Sequence, residues 1–167
     1  MIRLATIDDG IRISEIHIFS WRYAYHTFVE NKLLFNRYNV LTRLKSFEEH
    51  ISNGEEYYVY ENDGIVKGFM TVGECRDEDK KDAFELWRIY IDPIFMGMGI
   101  GSKLITKFEA LAGERERTEL VVWVLKNNES GINFYKKHGY SLEGKEQQLS
   151  NIDQTEIRYT KSISNLE

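Results

Sequence analysis

The stretch Leu86–Leu104, LWRIYIDPIFMGMGIGSKL, constrains the fold more than any other part of this chain. Leu86, Trp87, Ile89, Tyr90 and Ile91 have strand character, Asp92-Pro93 turns the chain, and Gly97, Gly99 and Gly101 follow at alternate positions. Leu104, Ile105, Phe108, Leu111 and Ala112 then fall on one face of a helix. Strand, glycine loop and helix in that order can make an anion cradle. Glycines let backbone N–H groups approach an anion closely, and a helix N-terminus adds donors with a partial positive charge. The spacing G-x-G-x-G lacks the Gly-Lys-Ser/Thr ending of a Walker loop. Ser102 and Lys103 after Gly101 also break the dinucleotide pattern G-x-G-x-x-G. By themselves the glycines leave two readings open, a phosphate cradle and an ordinary helix entry.

The surrounding pattern decides the fold class. Ile2–Ala5 reads as a short strand, and Thr6 as the N-cap of a helix running to about Tyr25 that carries Ile11, Ile13, Ile16, Phe19, Tyr23 and Ala24. His17, Trp21 and Tyr25 are spaced by four and share a stripe, either part of the core or the wall of a substrate cleft. A second helix is expected over about Asn39–Ser52. A hairpin follows, Tyr57–Tyr60 and Ile65–Val72, turning at Asn62-Asp63-Gly64. The charged run Glu74–Asp82 reads as a solvated loop. After the strand Ala83–Ile91 and the glycine-loop helix, Leu120–Leu125 is a near-continuous apolar run, as in a strand covered on both faces. Asn127-Asn128 caps a short helix over Glu129–Lys137 that Gly139 closes, and Tyr140–Gln148 with Glu156–Ser162 form a last strand pair. The order is β-α-α-β-β-β-α-β-α-β-β. The β-α-β crossover requires parallel strands and the hairpins antiparallel ones, so the class is α/β, a single domain over 1–167 with a mixed sheet flanked by helices.

Composition removes several functions. A net charge of −5 gives nucleic-acid binding no electrostatic support, and one cysteine, Cys75, allows no disulfide framework within the chain and no thiolate zinc cluster. No Cys/His/Asp cluster has metal-ligand spacing, so no metal is expected. No apolar run approaches the roughly 20 residues of a membrane span. The N-terminal MIRLATIDDG lacks the pattern of a secretory signal, so the expected location is cytoplasmic.

Two segments together resemble the GCN5-related N-acetyltransferase superfamily. One is Ile89-Tyr90-Ile91-Asp92-Pro93 followed by Met96-Gly97-Met98-Gly99-Ile100-Gly101. The other is Asn128 with Gly131-Ile132-Asn133-Phe134-Tyr135-Lys136-Lys137-His138-Gly139-Tyr140. Upstream, Ile16-His17 and Ser20-Trp21-Arg22-Tyr23-Ala24-Tyr25 are similar to the first helix of many bacterial members. The resemblance implies an acetyl-CoA-dependent transfer of an acetyl group to a primary amine of a small molecule, peptide or protein, by direct attack on the thioester. It implies that Met96, Gly97, Met98, Gly99, Ile100, Gly101 and Ser102 cradle the pyrophosphate. Ile89, Tyr90 and Ile91 would pair with the pantetheine amides as an added strand does, and Asn128 would contact the cofactor's arm. Tyr135 matches the family's general acid, placed to protonate the departing thiolate. Trp21 and Tyr25 would line the acceptor site.

The chain also departs from the family. Met96 stands where Gln or Arg is usual and Met98 where a basic residue is common, which removes side-chain contacts to phosphate but not the backbone cradle. Trp123 stands where some members place a Glu, leaving Glu85 or a water relay to take the amine's proton. His17 and His26 are weaker candidates by residue type. A catalytically inactive acyl-CoA-binding sensor is the alternative reading. The acceptor is open, with the surplus of carboxylates and aromatic rings leaning toward a cationic amine. A homodimer is common for such a fold.

Overall fold

The computed structural model describes residues 1–163; residues 164–167, the end of the expected 1–167 domain, lie outside them. The elements are β1 (Ile2–Leu4), α1 (Gly10–Tyr25), α2 (Val40–Ser52), β2 (Glu56–Asn62), β3 (Ile65–Glu74), β4 (Phe84–Ile91), α3 (Ile100–Glu114), β5 (Glu119–Leu125), α4 (Glu129–Lys137), β6 (Ser141–Leu149) and β7 (Gln154–Ser162). That is the order expected from the sequence. The strands form one seven-stranded mixed sheet in the order β1-β2-β3-β4-β5-β7-β6. By contacts the chain divides into two compact units. Met1–Thr71 with Arg88–Leu104 is the first; Val72–Trp87 with the described residues from Ile105 to 163 is the second.

In the first unit β1 runs antiparallel to β2, with Ile2 opposite Tyr60 and Leu4 opposite Tyr58. The expected helix start at Ile7 is a 3-10 turn, Ile7–Asp9, and the α-helix proper begins at Gly10. A Cβ at Gly10 would come within 2.8 Å of Leu44 Cδ1 and 2.9 Å of the Phe47 ring, so the two helices meet closely there. Asp9 holds the turn in place: its carboxylate accepts from the Arg3 guanidinium at 2.8 and 2.9 Å and from the Thr6 N–H at 2.8 Å. Arg3 keeps the Asp9 carboxyl below its usual range. A depressed folded-state value means the stabilisation is present above the unfolded carboxyl value of about 4 and is lost as pH falls through the lower folded one. Urea midpoints measured from pH 6 down to pH 2 should therefore fall less steeply below about pH 4 in Asp9→Asn than in the parent. Equal slopes would show that Arg3 contributes nothing through this charge.

The buried face of α1 runs through Ile13, Ile16, His17 and Ser20, while Ile11, Phe19 and Tyr23 are exposed. The sequence offers two overlapping apolar stripes on this helix, and packing on α2, β2 and β3 selects one. Ile13, Ile16, Phe47, Tyr57, Val59, Val66 and Phe69 make that core. The β2–β3 turn places Asp63 at φ 56° and Gly64 at φ 72°, the left-handed pair a two-residue hairpin turn requires.

In the second unit β5 pairs parallel with β4, Leu86 opposite Val122, and antiparallel with β7, Val124 opposite Ile157. The last hairpin therefore inserts its second arm against β5 and leaves β6 outside. Side-chain character explains the choice. β7 brings the buried Ile157 and Tyr159, whereas β6 is exposed along Ser141–Gln148 and suits a sheet edge. On α3 the expected apolar face is buried, and the Phe108 ring stacks on Phe84 at 5.4 Å.

The segment expected as a solvated loop is largely exposed and is also pinned through its acidic side chains. Arg158, only 2% exposed, donates to Asp77 at 2.8 Å, to Asp79 at 2.7 and 2.9 Å, and to Glu143. Lys80 bridges Glu119 and Glu143. A guanidinium taken out of water needs countercharges around it, and the acidic loop supplies two of them.

Candidate active site

Gly97 and Gly99 have φ of 78° and 76°, a region that side-chain-bearing residues rarely enter. A Cβ built on either would meet nothing within 4 Å, so the loop faces open space. Met96 and Met98 point outward, and Ile100 is buried and anchors the end of the loop. α3 begins at Ile100, with Gly101 and Ser102 in its first turn and the Lys103 N–H reaching back to Gly99 O at 3.2 Å. The loop thus delivers bare backbone onto the positive end of a 15-residue helix, where an anion is favoured.

The strand before the loop is held from α1. Ser20 Oγ donates to Ile91 O at 2.7 Å, and Arg12 bonds both Val66 O and the Asp92 carboxylate. Asp92 in turn accepts from the Ile94 N–H at 3.1 Å, capping the turn that opens the loop. From β3, Gly68 presents no side chain: a Cβ there would lie 3.0 Å from Tyr90 O and 2.7 Å from Ile91 Cδ1. β4 runs on to Ile91 past its last register partner on β5, Leu86 with Val122, and Ile89, Tyr90 and Ile91 are all half-buried.

Strand alternation puts Arg88 and Tyr90 on one face of β4. Trp21 Nε1 donates to Tyr90 Oη at 2.8 Å, and the Tyr90 ring stacks on His17 at 4.6 Å. Trp21 is half-buried and Tyr25 buried, its ring against that of Trp21 at 5.5 Å, so Tyr25 supports Trp21 from within the core. Next to them lies a space of about 10 Å³ lined by His17, Arg43, Ser46, His50, Tyr57 and Arg88 among others. Apart from His17, none of these was singled out from sequence as a site residue. Arg88 could have been found from its two-residue spacing to Tyr90; Arg43 gives no local sign.

In the second unit Asn128 caps α4, its Oδ1 accepting from the Gly131 N–H at 3.0 Å. A Cβ at Gly131 would meet Asn128 Nδ2 at 2.6 Å, so glycine there keeps room for the cap. Tyr135 is buried on the same helix, its ring edge-on to Phe134 at 5.4 Å and to Tyr140 at 5.8 Å. Burial, reinforced by Glu109, pushes the neighbouring Tyr140 phenol up. Glu85 is 1% exposed and accepts from the Arg76 N–H at 2.9 Å and from Arg76 Nη2 at 2.6 Å. Its carboxylate is thus already neutralised and hydrogen-bonded. Trp123 is half-buried and donates to Asp77 at 3.1 Å. Burial pushes the Cys75 thiol up to about 11, away from a reactive thiolate. His26 is exposed and His138 half-buried, and each places Nδ1 against a carbonyl of its own helix.

Residues 53–142 match the family described as Acetyltransferase (GNAT) domain. An uncharacterized N-acetyltransferase of Methanocaldococcus jannaschii is 34% identical over 87 residues, 50% of this chain but only 38% of that protein's length. The uncharacterized N-acetyltransferase YuaI of Bacillus subtilis is 29% identical over 140 residues, 82% of this chain and 78% of that protein. Among solved structures, the PaiA N-acetyltransferase of Thermoplasma acidophilum in complex with coenzyme A superposes with a TM-score of 0.74 at 20% identity. It covers 95% of this chain and 96% of that one, a likeness of fold.

Proposed function

This chain belongs to the acetyltransferase (GNAT) domain family, and on that premise we propose that it is a single-domain N-acetyltransferase using acetyl-CoA and a primary amine. The observation that carries the reading is the open glycine loop, left-handed at Gly97 and Gly99, feeding the N-terminus of α3. Such a loop fits a pyrophosphate, which needs backbone N–H groups without side chains in the way. The stretch from Met96 to Ser102 holds the pyrophosphate. The backbone of Ile89–Ile91 pairs with the pantetheine amides, and Asn128 contacts the same arm. When bound, acetyl-CoA supplies an activated acetyl thioester.

The remaining chemistry belongs to the chain's own residues. The amine nitrogen forms a bond to the acetyl carbonyl carbon, the carbon–sulfur bond breaks, and the electron pair leaves on sulfur. Tyr135 gives its phenolic proton to that sulfur. The nitrogen sheds its extra proton to a water relay, since Arg76 already occupies the Glu85 carboxylate. Trp21, tethered to Tyr90, forms part of the acceptor wall, and Tyr25 backs it.

The test pairs calorimetric titration of acetyl-CoA with a free-thiol assay for CoA release over a panel of amino acids, polyamines and peptides. Saturable binding with amine-dependent release is expected. Binding without release for any amine would assign the chain to acyl-CoA sensing; absence of binding would remove the cofactor assignment.

A further inference from the structure

The space lined by His17, Arg43 and Arg88 contains one guanidinium, that of Arg43, with no countercharge among the described residues. Arg43 lies 5.2 Å from the ring centroids of both Trp21 and Tyr38. Among the described residues no carboxylate pairs with it, and its buried Nε has no hydrogen-bond partner. His17 is 6% exposed, lines the same space, and also keeps a buried Nε2 without a partner. Burial, with Arg43 and Arg88 beside it, holds this imidazole well below its ordinary value and therefore neutral. Arg88 is satisfied differently, by Glu55 at 3.2 Å and Thr71 Oγ1 at 3.3 Å. Glu55 is thus taken by Arg88, with His50 also 3.6 Å away, and among the residues lining the space the buried Arg43 Nε and His17 Nε2 are left without partners. Buried polar groups are nearly always partnered, and orphans of this kind mark an absent ligand or water. An anion would satisfy both.

Size and shape narrow the class. About 10 Å³ is room for one water or one oxygen atom, too little for a tetrahedral phosphate. A flat carboxylate can enter by one oxygen, and arginine is suited to it. The place in the fold says why such a group would be held here. Tyr90 stacks on His17 and belongs to the strand segment whose backbone is assigned to the pantetheine arm.

We propose that this space binds a carboxylate of the acceptor, so that the preferred acceptor is an amine that also carries a carboxylate, an amino-acid-type small molecule. The proposal rests on the N-acetyltransferase reading above and deepens it. The carboxylate accepts from Arg43 Nε–H and from His17 in its Nε2–H tautomer, while the Trp21 and Tyr38 rings flank the guanidinium. This reverses the lean toward a cationic acceptor taken from overall composition, because the charge lining this space is opposite in sign to that of the whole chain.

Matched amines decide it. L-tyrosine and tyramine, and L-methionine and 3-(methylthio)propylamine, differ only by the carboxylate, and CoA release should favour the acid by roughly 10- to 100-fold in kcat/KM. Arg43→Gln should bring that ratio near one without changing acetyl-CoA affinity by calorimetry, and Arg43→Lys should retain part of the preference. Equal kcat/KM within each pair, or a ratio unmoved in a folded Arg43→Gln, would overturn the proposal. If no member of either pair is turned over, calorimetry of L-tyrosine against tyramine with CoA present decides instead. Saturable binding of the acid alone, lost in Arg43→Gln, supports the carboxylate site; binding of neither, or of both alike, removes it. Failure of acetyl-CoA to bind at all would instead count against the underlying enzyme assignment.

Discussion

Gly99→Asp is expected to lower acetyl-CoA affinity by more than about 100-fold. Two causes act together and can be separated. The backbone at Gly99 has φ of 76°, which disfavours most residues but is tolerated best by Asn and Asp. A carboxylate at this loop would also stand beside the positive end of α3 and take the place of the phosphate charge. Gly99→Asn carries nearly the same bulk and backbone preference without the charge. It should lose only about tenfold, while Gly99→Asp loses the additional factor, about 1.4 kcal/mol for each further tenfold. Calorimetry on both folded variants is the measurement. Unchanged affinity in Gly99→Asp would mean that the loop is a helix entry and nothing more.

Tyr135→Phe should reduce kcat by about 10²- to 10⁴-fold, the ordinary worth of a positioned acid, with acetyl-CoA affinity nearly intact. The ring contacts with Phe134 and Tyr140 survive in Phe, so packing is not what the substitution tests. Tyr140 lies close by and carries a hydroxyl, but it is bound to Glu109 at 3.4 Å and pushed away from proton transfer by burial. Tyr140→Phe should therefore leave kcat within a few-fold of the parent. A kcat for Tyr135→Phe within twofold of the parent would remove the acid assignment. A rise in KM for acetyl-CoA at constant kcat would place Tyr135 on the pantetheine arm.

The two halves of the proposed site were unequally legible. The glycine loop and the Asn128–Tyr135 helix are local: their signals are residue identities at short, fixed spacings. Gly97 and Gly99 adopt a left-handed conformation that favours glycine, and Asn128 caps α4 as expected. Glu85 shows the limit of reading by residue type. By residue type the carboxylate at the strand start is a candidate base, but Arg76, nine positions away, pairs with it at 2.6 Å. The charged run Glu74–Asp82 is the largely exposed loop its composition suggests, but its ion pairs with Arg158 carry no local signal, since that partner lies far along the chain. The lean toward a cationic acceptor came from composition, which averages over a surface and says nothing about the charge lining one space.

The sequence by itself determined the order and type of the elements, the two turns that require glycine, and the buried face of α3. Each of these is set by periodicity, capping and backbone conformation over a few residues. The tertiary structure alone decided which apolar stripe of α1 is buried, that β7 rather than β6 lies against β5, and that Arg43, beside Arg88 and His17, has no countercharge among the described residues. These depend on side chains tens of residues apart in sequence competing for the same volume and the same charges. Spacing along the chain carries no record of that competition.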